Sequence, residues 1–334
     1  MSFLPPGLLD VLRHLSADEF VSGEVLAERL GLSRATINNR LRAVQPLGLT
    51  VYSIPGRGYR LARPVSWLDE RVLTAALSGL GFHLRLEDSA ESTNSQLLAH
   101  AMHGLPHKSV LVTEWQHGGR GRRGRPWLAP LGSGLTFSLL WRFNRPLAEL
   151  SGLSLAVGLA LAQAARALGM AAGRGNWADG VRVKWPNDVL HDQAKLAGIL
   201  IEVQGDALGP SAAVIGVGLN VRLPDEARAA IDQPVADLAA GLGQTPERNV
   251  LLCHLLAHLD RVLRQFEAAG FAGMRAEWEA LHAYQGSDVR MAGVQGDVLG
   301  RVLGVDAEGA LLLETPAGVR RMMSGEMSLR GMPF

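Results

Sequence analysis

Residues 118–127 read GGRGRRGRPW, with four arginines and four glycines in ten positions, and glycines 119, 121 and 124 spell the GxGxxG pattern. A dinucleotide fingerprint needs those glycines to close a strand and open a helix whose N-terminus receives a pyrophosphate. Pro126 and Pro130 bracket the following residues, so no helix opens, and the chain contains no Walker A sequence. What remains is a flexible, glycine-jointed loop. Its Arg120, Arg122, Arg123 and Arg125 can fold over an anion through charge-assisted hydrogen bonds.

Three further stretches carry complementary chemistry. Residues 184–202, KWPNDVLHDQAKLAGILIE, place Lys184, the Asn187-Asp188 pair and Lys195 just before an expected strand, with Gly198 permitting close approach of a ligand. Residues 91–98, ESTNSQLL, supply Ser92, Thr93 and Asn94 at an expected helix start. Residues 215–224, IGVGLNVRLP, end a strand in Gly218 and Asn220. Each has an ordinary explanation alone: a helix cap, a turn, a strand exit. Together they gather cations, amide donors and metal-ligating oxygens on loops able to share one cleft, which suits a polyphosphate substrate. Of the 33 basic residues, 30 are arginine and three are lysine, Lys108, Lys184 and Lys195. A compact ammonium persists where an arginine fork cannot replace it.

The elements that must hold these residues form an α+β multidomain chain, as 334 residues with 47% hydrophobic content allow. Residues 1–64 read as a winged helix-turn-helix. VSGEVLAERLGLSRATINNRLRAV sets Val25, Leu26 and Leu30 on one helix, turns at Gly31-Leu32, and caps a second helix with Ser33. Ile37, Leu41 and Val44 form its inward stripe. Ala35, Thr36, Asn39 and Arg42 then face away as a recognition surface, with Ser33 and Arg34 at the helix start as further DNA-binding candidates, and VYSIPGRGYRLA follows as a two-stranded wing bearing Arg57 and Arg60. This unit holds eight arginines against five acids, so only here does the chain lean towards nucleic acid. Residues 65–284 mix apolar strands (109–113, 135–141, 199–203, 213–217) with helices, and residues 285–334 read as a small β barrel.

The lone Cys253 gives no disulfide framework, and the N-terminus lacks a secretory signal, so the expected location is cytoplasmic. The apolar run 150–165 is too short to span a membrane and reads as a buried helix. His254 and His258 stand at i, i+4 without an intervening glutamate or a third ligand nearby, and read as helix-surface histidines.

ESTN, GRGRRGRPW, KWPNDV…KLAGIL, GVGLN and the terminal GEMSLR resemble, in order and over nearly the whole chain, the motifs of biotin protein ligases. The winged N-terminus is similar to that of the bifunctional members that also repress biotin genes. The resemblance implies a central domain related to class II aminoacyl-tRNA synthetases and a C-terminal barrel. It implies biotin and ATP as substrates with Mg²⁺, and a biotin carboxyl carrier domain, operator DNA and a ligand-promoted homodimer as partners. Ser92, Thr93, Asn94 and Gln116 would bind biotin; Arg120, Gly121 and Arg122 would close over the adenylate. Trp127, Lys184, Gly198 and Gly218 belong to the same substrate-binding motifs. Arg122 and Lys195 are the expected catalytic residues. Asn187, Asp188 and Asn220 would help place the triphosphate, the first two as Mg²⁺ ligands. In one respect the chain departs from the family: residues 221–265 contain no Phe, Tyr or Trp, and Val235 stands where repressor members close an aromatic over adenine. A lipoate-type ligase and a non-catalytic biotin-sensing repressor are the alternative readings.

Overall fold

The computed structural model describes residues 4–101, 103–205, 209–292, 296–323 and 328–331. The N-terminal unit packs α1 (Leu8–Arg13), α2 (Gly23–Leu30) and α3 (Arg34–Arg42) ahead of an antiparallel wing, β1 (Val51–Ile54) with β2 (Gly58–Leu61). Ser22 and Ser33 cap α2 and α3 by accepting from the backbone N–H of Val25 and Thr36. Gly31 ends α2 at φ 63°, a conformation a residue without Cβ adopts cheaply. Ile37, Leu41 and Val44 are buried, as their spacing predicts. On α2, Leu26 is fully buried while Val25, about 100° around the helix from it, is exposed, so this helix buries a narrow stripe.

This small core is completed by its neighbour. Trp115 and Leu131 of the central unit are buried among the helix-turn-helix side chains, and Leu131 N–H donates to Leu47 O at 2.9 Å. Arg13 also pairs with Asp88 at 3.1 Å.

The central unit is a seven-stranded mixed sheet in the order β3-β4-β5-β9-β8-β7-β6. Its strands are β3 (His83–Ala90), β4 (Ser109–Gln116), β5 (Gly134–Phe143), β6 (Val181–Lys184), β7 (Asp188–His191), β8 (Ala194–Gly205) and β9 (Ser211–Asn220). β3 and β4 pair in parallel and the other neighbours antiparallel. Successive strand residues point to opposite faces, and both faces are apolar. Leu111, Leu140 and Val214 pack against α5 (Thr93–Ala101). Val112, Leu139 and Ile215 pack on the side of α4 (Glu70–Leu77), α6 (Leu153–Ala171), α10 (Arg248–Ala269) and α11 (Arg275–Leu281), with short α7 (Gly175–Gly180), α8 (Asp225–Ala230) and α9 (Leu238–Leu242) between them. Leu147–Ala171 is long and apolar enough to cross a membrane, yet most of it is buried as the central core helix.

Two buried ion pairs fix the frame. Arg248 and Glu114 meet at 2.6 Å with 1% and 0% of their side chains exposed, and Glu114 also accepts from Leu68 N–H, locking the linker between β4 and α10. Lys108, the lysine outside the motifs, is buried against Asp260 and donates to Leu80 O.

The C-terminal unit is an antiparallel sheet in the order β13-β12-β11-β10-β14, from β10 (Asp288–Ala292), β11 (Val298–Val305), β12 (Leu311–Thr315), β13 (Gly318–Met322) and β14 (Ser328–Gly331). Residues 325–327 of GEMSLR lie outside the described residues. Trp185 Nε1 donates to Gly309 O and Ser151 Oγ to Glu308 O, docking this sheet on the central unit.

Candidate functional site

A cavity of about 880 Å³ opens over β5, β9 and β8, within the range of small-molecule sites. Every residue expected to meet substrate lines it: Ser92, Thr93 and Asn94 at the start of α5; Gln116 at the end of β4; Arg120, Gly121, Arg122 and Trp127 from the arginine loop; Lys184, Asn187 and Asp188 around the β6–β7 turn; Lys195 and Gly198 on β8; Gly218 and Asn220 on β9.

One end is a continuous polar network. Gln116 Oε1 accepts from Thr93 N–H at 2.9 Å and Thr93 Oγ1 at 3.1 Å. Ser138 Oγ, fully buried on β5, lies 2.8 Å from Thr93 Oγ1 and 2.6 Å from Asn94 Oδ1. Asn94 Nδ2 donates to Leu200 O and to Glu202 at 2.9 Å, and Glu202 lies 3.6 Å from Arg120, whose Nη2 also donates to Ser95 Oγ. Such a satisfied network holds its donors and acceptors in one arrangement. A Cβ on Gly216 would sit 2.2 Å from Asn94 Oδ1, so only glycine admits the asparagine there.

The other end is cationic. Lys195 Nζ pairs with Asp188 at 2.7 Å and sits 5.7 Å from the centre of the Trp127 ring. Arg122 Nη1 reaches Asn187 Oδ1 at 3.4 Å. Burial, and Arg123 alongside, lower the Arg122 pKa below its ordinary value, with Asp188 opposing. An arriving anion would relieve that repulsion. Trp127 lies across Gly218, where a Cβ would come within 2.4 Å of its indole.

Two local expectations differ from what is observed. The arginine loop is a tight excursion pinned at both legs, with Gly121 N–H on Arg125 O, Trp127 N–H on Gly119 O and a turn at Arg122–Gly124, where Arg123 has φ 60°. Lys195 does not precede a strand but is the second residue of β8, and residues 185–187 form the β6–β7 turn. The start of β8 is set by its pairing with β7, Lys195 opposite Leu190 and Ala194 opposite His191, a contact that no local pattern marks. Asn220 donates to the carbonyls of Lys195 and Ala236, so its amide shapes the cavity wall. Among the described residues no group of three His, Cys, Asp or Glu could hold a metal, and His254 and His258 bond carbonyls of Ala164 and His254.

On the helix-turn-helix, Arg34, Asn39, Arg42 and Arg57 are exposed. Ser33 and Thr36 hydroxyls are 2.8 Å apart, occupied with each other in the cap. Arg60 donates to Ala17 O and lies 5.1 and 5.3 Å from the Phe20 and Tyr52 rings, which makes it a brace for the wing; Arg57 lies 4.6 Å from Phe20. Tyr59 OH donates to Asn38 Oδ1, tying wing to recognition helix.

Ser138, Glu202 and Gly216 were not expected from the sequence, nor were Tyr284, Arg290 and residues 230–234, which line the cavity from distant parts of the chain. Gly216, two residues before Gly218 in GVGLN, was the one with a local signal.

Fold and site together define a chain of two parts: a winged helix-turn-helix joined to a pocket with a polar end and a cationic end suited to an anionic ligand. Family models agree along the chain: an HTH domain over residues 8–60, the biotin/lipoate A/B protein ligase family over 87–220, and the biotin protein ligase C-terminal domain over 285–330. The chain is 35% identical to the bifunctional ligase/repressor BirA of Escherichia coli over 96% of its own length and 97% of that protein. It is 32% identical to the biotin–[acetyl-CoA-carboxylase] ligase of Paracoccus denitrificans over 72% of its length and 98% of the relative. The biotin protein ligase of Aquifex aeolicus, solved with biotin and ATP, superposes with a TM-score of 0.61 at 28% identity, covering 75% of this chain and 99% of that one. The chain belongs to the biotin protein ligase family, with the architecture of its bifunctional ligase/repressor members.

Proposed function

We propose that the chain joins biotin to ATP, releasing pyrophosphate, and then passes the biotinyl group from biotinyl-adenylate to a lysine of a carboxyl carrier domain. The observation that carries this reading is the division of one cavity into a satisfied polar end, which can hold a neutral ureido head group, and a cationic end at Arg122, Lys184 and Lys195. Attack of a carboxylate on an α-phosphate brings two anions together, so fixed positive charge lowers the barrier. Lys195 neutralises the attacking carboxylate and the phosphoryl oxygens, and Arg122 covers the mixed anhydride against water until the carrier amine arrives. No protein nucleophile is required.

Asp188 offers one carboxylate and Asn187 one carbonyl, and both are already engaged by Lys195 and Arg122. That donor set suits Mg²⁺ carried in on the triphosphate better than a resident ion, because Mg²⁺ keeps waters and phosphate oxygens as ligands.

The winged helix supports a second role as a biotin-responsive repressor acting on operator DNA in the cytoplasm. A single N-terminal unit with a net charge of +3 grips phosphates weakly, so specific binding calls for a homodimer. Arg34, Asn39 and Arg42 would read bases and Arg57 would touch phosphate, with Arg60 bracing the wing. Biotin-dependent exchange of labelled pyrophosphate into ATP tests the catalytic reading. Exchange supported by lipoate and not biotin points to the lipoate-type alternative, and exchange with neither leaves a non-catalytic sensor.

A further inference from the structure

At the polar end of the cavity Thr93, Ser138, Asn94 and Gln116 each have a partner, yet two hydroxyl protons meet three oxygen–oxygen contacts. Thr93 Oγ1 lies 3.1 Å from Gln116 Oε1 and 2.8 Å from Ser138 Oγ, and Ser138 Oγ lies 2.6 Å from Asn94 Oδ1. The Asn94 amide has one workable orientation, because its nitrogen faces the carbonyl of Leu200 at 3.0 Å and the carboxylate of Glu202 at 2.9 Å, which only accept. Its oxygen therefore faces Ser138 and takes the one proton that Ser138 has. Thr93 is left with one proton for two claimants. Given to Gln116, that proton leaves the oxygens of Thr93 and Ser138 in contact at 2.8 Å with nothing between them, in a cluster where Ser138 is 0% and Thr93 3% exposed. Given to Ser138, it leaves only the longer contact, at 3.1 Å, without one. Gln116 Oε1 still accepts from Thr93 N–H at 2.9 Å, and Thr93 and Gln116 both line the cavity, where a ligand can supply the missing proton.

Accepting the reading above that a ureido acid binds here, we propose that Ser138 is a positioning residue. Anchored through Asn94 to Leu200 and Glu202, it draws the Thr93 proton inward, so that Thr93 and Gln116 present paired acceptors to the ligand. The polar end then selects its head group by an N–H donor. A cyclic urea carries two such donors. A dithiolane of the lipoate type carries none and would leave the acceptors unpaired, the situation in which a site discriminates most strongly between acids of similar size. Specificity is thus set by a fully buried side chain and not by the cavity wall alone.

Binding calorimetry on the full chain without ATP tests this. The probes are biotin and two lactam analogues, each with one ureido N–H replaced by CH₂. In wild type, one of the two analogues binds about 30-fold or more weakly than biotin, the loss expected where a buried acceptor goes unpaired. In Ser138→Ala the Thr93 proton belongs to Gln116 alone, and the same ratio falls by about tenfold or more. Adding Ser138→Ala to Thr93→Val changes the ratio no further, because Ser138 acts through Thr93. A ratio of two ligands on one protein does not depend on the fraction folded, so a merely structural role for Ser138 would leave it unmoved. Analogues that both bind like biotin, or a Ser138→Ala ratio equal to that of wild type, overturn the proposal while leaving biotin as the ligand. Lipoate bound in place of biotin, or neither acid bound, rejects the functional reading and the proposal with it, and shows in wild type before any variant is made.

Discussion

Replacing Lys195 with alanine should disable adenylation while leaving the fold standing. Lys195 Nζ lies on the cavity wall, paired with Asp188 at 2.7 Å, with 17% and 16% of the two side chains exposed. A charge-assisted hydrogen bond to a desolvated anion is worth about 1.5–3 kcal/mol. At about 1.4 kcal/mol per factor of ten, losing it lowers kcat/KM for pyrophosphate exchange by about 10- to 150-fold. The structure argues for the upper end, because Lys195→Ala also leaves Asp188 without its counter-ion, facing the incoming carboxylate and triphosphate. Adding Asp188→Asn to Lys195→Ala should therefore recover part of the loss. A decrease below about threefold for the single variant, or a double variant no better than the single one, would refute the assignment of Lys195 as the neutralising cation.

Arg122→Gly should still form adenylate but let it escape, seen as biotin on bystander amines in a mixed-protein incubation; loss of adenylation with nothing released would contradict the lid role. His282, 5% exposed and stacked 4.5 Å from Trp278, has its pKa pushed down by burial to about 4, with Gln285 opposing. The unfolded chain takes up that proton near pH 6.5 and the folded chain does not. About 3 kcal/mol of stability, present above about pH 6.5, is therefore lost as the pH falls to about 4, and His282→Phe should flatten that part of the denaturation-versus-pH curve. Gel shifts on a palindromic biotin-gene operator should be steeply salt-dependent and abolished by Asn39→Ala with Arg42→Ala.

The helix-turn-helix was legible because its signals are local: serine caps, a turn glycine and a buried stripe at helical spacing all lie within the 24-residue stretch 21–44. The cavity residues were legible as clusters of unusual composition. Ser138 was not, since a serine inside an apolar strand carries no local mark, and its partners Thr93 and Asn94 are 45 and 44 positions away. The same holds for Glu114 and Arg248, 134 positions apart, whose pairing exists only once β4 and α10 are packed. Trp115 and Leu131 read as central-unit residues, yet they finish the N-terminal core, because small helical units bury too little surface alone. Asp237 carries no local mark in the sequence that sets it apart from other loop acids. Its burial under donors from Leu223, Arg228 and Ala240 is a product of the chain crossing itself at those three residues.

The most direct measurement is the intact mass of a biotin carboxyl carrier domain after incubation with the protein, ATP, Mg²⁺ and either biotin or lipoate. Catalysis of the proposed kind adds one biotinyl group to a single lysine, in a reaction that depends on ATP and is absent with Lys195→Ala. A carrier that gains lipoate instead, or gains nothing from either acid, would contradict it.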